Sequence, residues 1–206
     1  MEYLVYRGQY GSKSNKIETR LPSITFSNLE SAMQYAFSPN NSSDNVINSR
    51  VILAKVIINN PVINAKDCFA DFDLLIEKLG EDFIWKMAEK YSEQIYLTDN
   101  WQNNYSKYKT INNLKVNNKN TIYDLYMNAY VLLDDNEFIS KSLENGYDGA
   151  IHIGNGFTHD TLEYRVFNKN QIEIVKVLEI DAESDIDVIK KEFNKLTCNP
   201  SKMKIF

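Results

Sequence analysis

The chain has 206 residues, 28 acidic against 23 basic side chains, a net charge of −5 and 43% apolar residues. That length sustains a hydrophobic core without disulfide or metal staples and suits one domain over residues 1–206. The acidic balance gives no support to nucleic acid or an anionic membrane as partner, since both call for a basic footprint. Cys68 and Cys198 lie far apart, and His152 and His159 add no ligand spacing, so no metal site is expected. No charged-then-apolar leader is seen, and no apolar run approaches the roughly 18 residues of a membrane span. A cytoplasmic protein is the expectation.

In chain order, residues 2–7 are aromatic and β-branched and stop at Gly8, which predicts a strand ending in a turn. A polar loop, 11–19, and a short strand, 23–26, precede Ser27-Asn28-Leu29-Glu30. Ser27 and Glu30 are spaced as a capping box, and Pro39 limits the helix they open to about Phe37. After a polar stretch, 40–48, residues 51–59 predict a strand. Residues 67–96 are helical in character, with Phe83, Met87, Tyr91 and Ile95 on one face and Gly80 dividing two helices. Residues 101–120 show no period and predict an irregular connection. Thr121 and Asp134-Asp135 each mark a helix start, the second helix ending at Gly146. Three strands follow, 147–153, 162–167 and 171–178, and Ser184 opens a last amphipathic helix. The class is α+β, with a mostly helical insertion around residues 64–145 between two sets of strands.

No Walker loop, dinucleotide glycine motif, serine elbow or zinc-protease helix is present. Three features stand out. Tyr6-Arg7-Gly8 puts a fixed cation where backbone can approach closely, which suits a phosphate; the plain alternative is an exposed Arg before a turn. Thr25-Phe26-Ser27 with Tyr35 can form a floor and stacking wall for a flat ring; the alternative is a cap and core packing. In residues 162–167, Glu163 and Arg165 share one strand face. Glu163 is placed to meet a ligand, or is a solvent-facing carboxylate paired with Arg165 or a cross-strand Lys.

Taken in order, Tyr-Arg-Gly, Thr-Phe-Ser with Ala32 and Tyr35, Gly-Tyr-Asp-Gly-Ala-Ile at 146–151 and Glu-Tyr-x-Val-Phe at 163–167 resemble the ADP-ribosyltransferase superfamily. The likeness is to small bacterial and phage-encoded mono-ADP-ribosyltransferases, leaning to the Arg-Ser-Glu subclass, and it is concentrated in residues 3–58 and 146–176. It implies a split β-sandwich core with a C-terminal helix, and NAD as co-substrate without a metal. Its setting is open between a phage or bacterial effector acting on host machinery or defence and an intracellular toxin.

By that resemblance Glu163 is the catalytic carboxylate, Arg7 faces phosphate, Gly8 reads the carboxamide through its backbone, Ser27 helps fix the ribose and Glu163, Tyr35 stacks on nicotinamide, and Thr25 joins them in the NAD-binding set. His159, Asp160 and Thr161 fall in the acceptor loop. Thr161 stands where arginine-modifying members carry Glu or Gln, which points to a protein acceptor modified on another residue. Transfer to water, as a NAD glycohydrolase, and a catalytically silent binding module are the alternatives.

Overall fold

Alternating apolar residues carry β1 (Glu2–Gln9) straight through the expected turn. Gly8 sits inside the strand, opposite Val51 of β3 (Ser49–Ile57). The glycine is there for close approach instead. A Cβ on Gly8 would lie 1.9 Å from the Ala32 carbonyl oxygen and 2.7 Å from Tyr35 Cβ, both on α1 (Leu29–Phe37). Gly8→Ala must push α1 off β1, and a loss of at least about 1–3 kcal/mol is expected in urea unfolding. An unchanged midpoint would refute this account of the glycine.

The computed structural model describes residues 1–9, 17, 21–37, 49–155, 160–180, 187–189 and 191–192. His159, the 40–48 stretch and most of the C-terminal helix lie outside them, though Asp187 and Ile189 are helical as expected.

β1, β3 and β9 (Ile172–Ile180) form an antiparallel sheet in the order β1-β3-β9. A second sheet has the order β2-β8-β7-β4, from β2 (Ile24–Phe26), β4 (Pro61–Asn64), β7 (Gly149–Ile153) and β8 (Leu162–Val166), with β4 parallel to β7. The strand period of two divides β3 between two layers. Ile52, Ala54 and Val56 pack with Val5, Ile24, Phe26, Ile151 and Val166 between the sheets, while Val51 and Leu53 pack with Ala32, Met33 and Ala36 of α1.

The motif at 146–151 has architectural work. The Asp148 carboxylate accepts from the backbone N–H of Asn59 and Asn60, at 2.9 and 2.8 Å. Gln171 Nε2 donates to the carbonyls of Ile57 and Asp148, both at 2.8 Å. Together they pin the turn between β3 and β4.

The helical middle comprises α2 (Phe72–Leu79), α3 (Glu81–Lys90), α4 (Ser92–Tyr96), α5 (Ile111–Asn117), α6 (Ala129–Leu133) and α7 (Asn136–Glu144). A short ribbon of β5 (Phe69–Asp71) and β6 (Tyr126–Asn128) joins them. Gly80, at φ 90°, divides α2 from α3 as the sequence predicts, and Asp135 caps α7 by accepting from Phe138 N–H.

Phe69–Asp71, expected to be helical, is drawn into strand by its pairing with Tyr126–Asn128, and two further expectations fail. Residues 101–120 hold a π-helical turn and α5, which Thr110 caps by accepting from Asn113 N–H. Thr121 lies within a 3₁₀ turn, and the next helix starts instead at Asn128, whose side chain accepts from Tyr130 N–H. Burial decides both cases: Trp101, Ile111, Leu114 and Ile122 all enter one core, whatever their local period. That core also takes in Ala150 and Phe167, which seats the helical layer against the second sheet. The class is α+β, as expected. Among the described residues no helix is long and apolar enough to cross a membrane.

Candidate functional site

Next to α1 a backbone bridge joins the two sheets. Tyr6 and Ser27 exchange backbone hydrogen bonds of 2.9 and 2.8 Å, and no ladder extends from that bridge. Beyond it a cavity of about 490 Å³ opens, within the range of small-molecule sites. β1 supplies Arg7 and Gly8, the β2 segment Thr25 and Ser27, α1 Tyr35, and β7 and β8 His152, Glu163 and Arg165. The helical layer closes one side with Asn128, Tyr130 and Asp134. Arg7, Gly8, Thr25, Ser27, Tyr35 and Glu163, singled out from sequence, therefore share one cavity. Asp160 and Thr161 do not line it. Thr161 Oγ1 lies 3.3 Å from Ser31 Oγ on α1, and Asp160 is exposed in a left-handed conformation, φ 62°. From that loop Asn155 lines the cavity.

Glu163 is 5% exposed, so the solvent-facing alternative is excluded, yet its pairing with Arg165 is real. Arg165 Nε donates to Glu163 Oε2 at 3.2 Å, and its Nη1 donates to Asp134 Oδ1 at 2.9 Å and Ser23 Oγ at 3.3 Å. One guanidinium thus ties the carboxylate of β8 to the end of α6. Strand register explains the grouping, because Thr25 lies opposite Arg165 and His152 opposite Glu163, all on one sheet face.

Arg7 crosses the gap between the sheets and donates from Nη1 to the Thr25 carbonyl at 2.8 Å. Burial lowers its pKa, and the nearby charge of Arg165 lowers it further. A guanidinium stays protonated even so, and Arg165 is already held between Glu163 and Asp134, so it is Arg7 that brings a cation to an anion in the cavity. Tyr35, 45% exposed, stands at the rim. Burial raises the pKa of its hydroxyl, and the Glu163 charge adds to the rise.

Ser27 departs from its expected role. The cap of α1 is Asn28, whose Oδ1 accepts from Ser31 N–H at 2.8 Å, one residue later than the capping box predicts. The shift follows from the Tyr6 bridge, which holds Ser27 in extended pairing. Its hydroxyl, 3.3 Å from the Asn28 carbonyl, is left on the cavity wall. Asn28→Ala is expected to cost about 1 kcal/mol of unfolding free energy. Ser27→Ala should cost less than half of that, and the reverse order would restore Ser27 as the cap.

His152 escaped the sequence reading, which weighed it only as a metal ligand. Its signal was parity: with Ala150 it occupies the β7 positions that face Glu163 and Arg165 across the hairpin. Asp134 gave no such signal, having the look of an ordinary helix start. The imidazole is 2% exposed. Its Nδ1 lies 2.8 Å from the Ile153 carbonyl, and its Nε2 lies 3.8 Å from Glu163 Oε2.

Burial lowers the His152 pKa, opposed by the Ile153 carbonyl, Glu163 and Asp134 and assisted by Arg165. The unfolded chain therefore takes up this proton first on acidification. Stability should begin to fall as pH drops below the ordinary imidazole value of about 6.5, and level off once the folded value is passed. Urea unfolding of His152→Gln should show a weaker slope in that window; an identical slope would assign the effect elsewhere.

No protein-family model, characterised protein or solved structure matches the chain. Among the described residues no group of His, Cys, Asp and Glu could hold a metal ion.

Proposed function

We propose that this cavity binds NAD and that the protein transfers ADP-ribose from it to a protein acceptor. The observation that carries this reading is convergence. Arg7, Ser27, Tyr35 and Glu163, which the family resemblance groups by role, line one cavity although they lie on separate elements. Each has the chemistry its role needs. Arg7 offers a cation to the pyrophosphate, Tyr35 a ring to nicotinamide, and Glu163 a buried carboxylate to the ribose.

In the reaction the bond between ribose C1′ and the nicotinamide nitrogen breaks, and its electron pair leaves with neutral nicotinamide. Positive charge develops on the ribose, where a fixed carboxylate stabilises the transition state more than the ground state. An acceptor nucleophile then bonds to C1′ and releases its proton to solvent. Thr161 has neither carboxylate nor amide and lies against Ser31, which favours an acceptor residue other than arginine.

The test is incubation of the protein with cell extract and NAD labelled in its adenylate half. A discrete labelled protein band is expected, absent with Glu163→Gln. Nicotinamide release without a labelled band would make water the acceptor. Neither release nor label would overturn the proposal.

A further inference from the structure

His152 is buried at 2% exposure on the cavity wall, and its Nε2 has no hydrogen-bond partner among the described residues. An unpaired polar atom at such a depth carries a desolvation penalty that a protein ordinarily avoids. The other ring nitrogen explains its state. Nδ1 lies 2.8 Å from the Ile153 carbonyl oxygen, which can only accept, so Nδ1 carries the proton of the neutral ring. Burial favours that neutral form. Nε2 therefore presents a lone pair, and 3.8 Å away is Glu163 Oε2, a second acceptor. Two acceptors at that distance do not bond each other. They are, however, spaced to receive one hydrogen bond each from adjacent hydroxyls on a five-membered ring. Arg165 does not supply the missing donor to His152, since it donates to Glu163, Asp134 and Ser23.

We propose that His152 Nε2 and Glu163 form a two-acceptor clamp for a vicinal diol, the 2′- and 3′-hydroxyls of the nicotinamide ribose. The inference rests on the NAD reading above and adds a substrate-binding residue to it. Glu163 takes the 2′-hydroxyl, because its charge acts on the neighbouring C1′, and His152 takes the 3′-hydroxyl. A carboxylate has lone pairs enough to accept from Arg165 and a hydroxyl together. The clamp makes the site selective for ribose over a deoxyribose at that position, since removing a hydroxyl leaves a buried acceptor unmet.

The experiment compares kcat/KM of nicotinamide release for NAD and for the analogue lacking the 3′-hydroxyl on its nicotinamide ribose, in wild type, His152→Ala and His152→Gln. Wild type should lose about 5- to 10-fold on the analogue. His152→Ala should lose a similar factor with NAD and nothing further with the analogue, because both changes delete one bond. His152→Gln, which can place an amide oxygen near Nε2, should recover most of the loss.

Full wild-type kcat/KM for the analogue overturns the clamp, whether or not any variant folds. An analogue penalty undiminished in His152→Ala, or a penalty that appears only when the 3′-hydroxyl of the adenosine ribose is removed, does the same; in each case NAD turnover leaves the functional reading standing. No turnover of NAD by wild type overturns that reading, and the clamp with it.

Discussion

Glu163→Gln is expected to slow nicotinamide release by about 10²–10³-fold, some 2.7–4 kcal/mol of transition-state stabilisation. The substitution keeps the shape of the side chain and an oxygen for Arg165 Nε, which donates to Glu163 at 3.2 Å. What it removes is the charge, which the proposed reaction needs where positive character develops on the ribose. The loss should therefore appear in kcat, with KM within a few-fold of wild type. Arg165 keeps its bond to Asp134 at 2.9 Å, so the variant stays folded, and urea unfolding separates lost chemistry from lost structure. A kcat within about threefold of wild type in a folded Glu163→Gln protein would remove Glu163 from the chemistry, on the scale set for a single electrostatic stabiliser.

Arg165→Met is expected to have the largest effect on stability, a loss of about 3–5 kcal/mol. The guanidinium is nearly buried, at 8% side-chain exposure, and serves Glu163, at 6%, and Asp134, at 30%. Met fills much of the volume but removes the guanidinium that donates to the buried Glu163 carboxylate. It also cuts the tie between the second sheet and the end of α6. The more solvated pair of Lys55 and Glu2, 3.7 Å apart, is a useful contrast, since deleting either partner should cost no more than about 1 kcal/mol. A total stability of roughly 5–15 kcal/mol makes the Arg165 loss plain in an unfolding curve. Adding Glu163→Gln to Arg165→Met should restore part of the stability, because the buried charge that Arg165 offsets goes with it. Additive losses in the double variant would show that Arg165 offsets no buried charge, and the account of Arg165 would fall.

The strands at both ends of the chain, the helix after Ser27 and the division at Gly80 were legible in the sequence. Each rests on a local rule: alternation on a two-sided strand, a polar cap before an apolar helix face, a glycine able to adopt positive φ. Arg7, Thr25, Ser27, Tyr35 and Glu163 could be named for the same reason, since each belongs to a short motif whose order could be compared. Reading Gly8 as a turn was the instructive error. Glycine serves both turns and close approach, and only the position of Ala32 on α1 distinguishes them.

Pairing was what the chain alone could not disclose. His152 meets Glu163 because β7 and β8 are in one particular register, and a shift of one residue would turn each onto the other face. Asp134 reaches Arg165 because a layer built from residues distant in sequence packs against Ala150 and Phe167. Local sequence determined the cation, the ring and the carboxylate. The tertiary structure decided that the carboxylate is held by Arg165 and faces the buried His152 imidazole, because register and layer packing are set by burial summed over the whole chain.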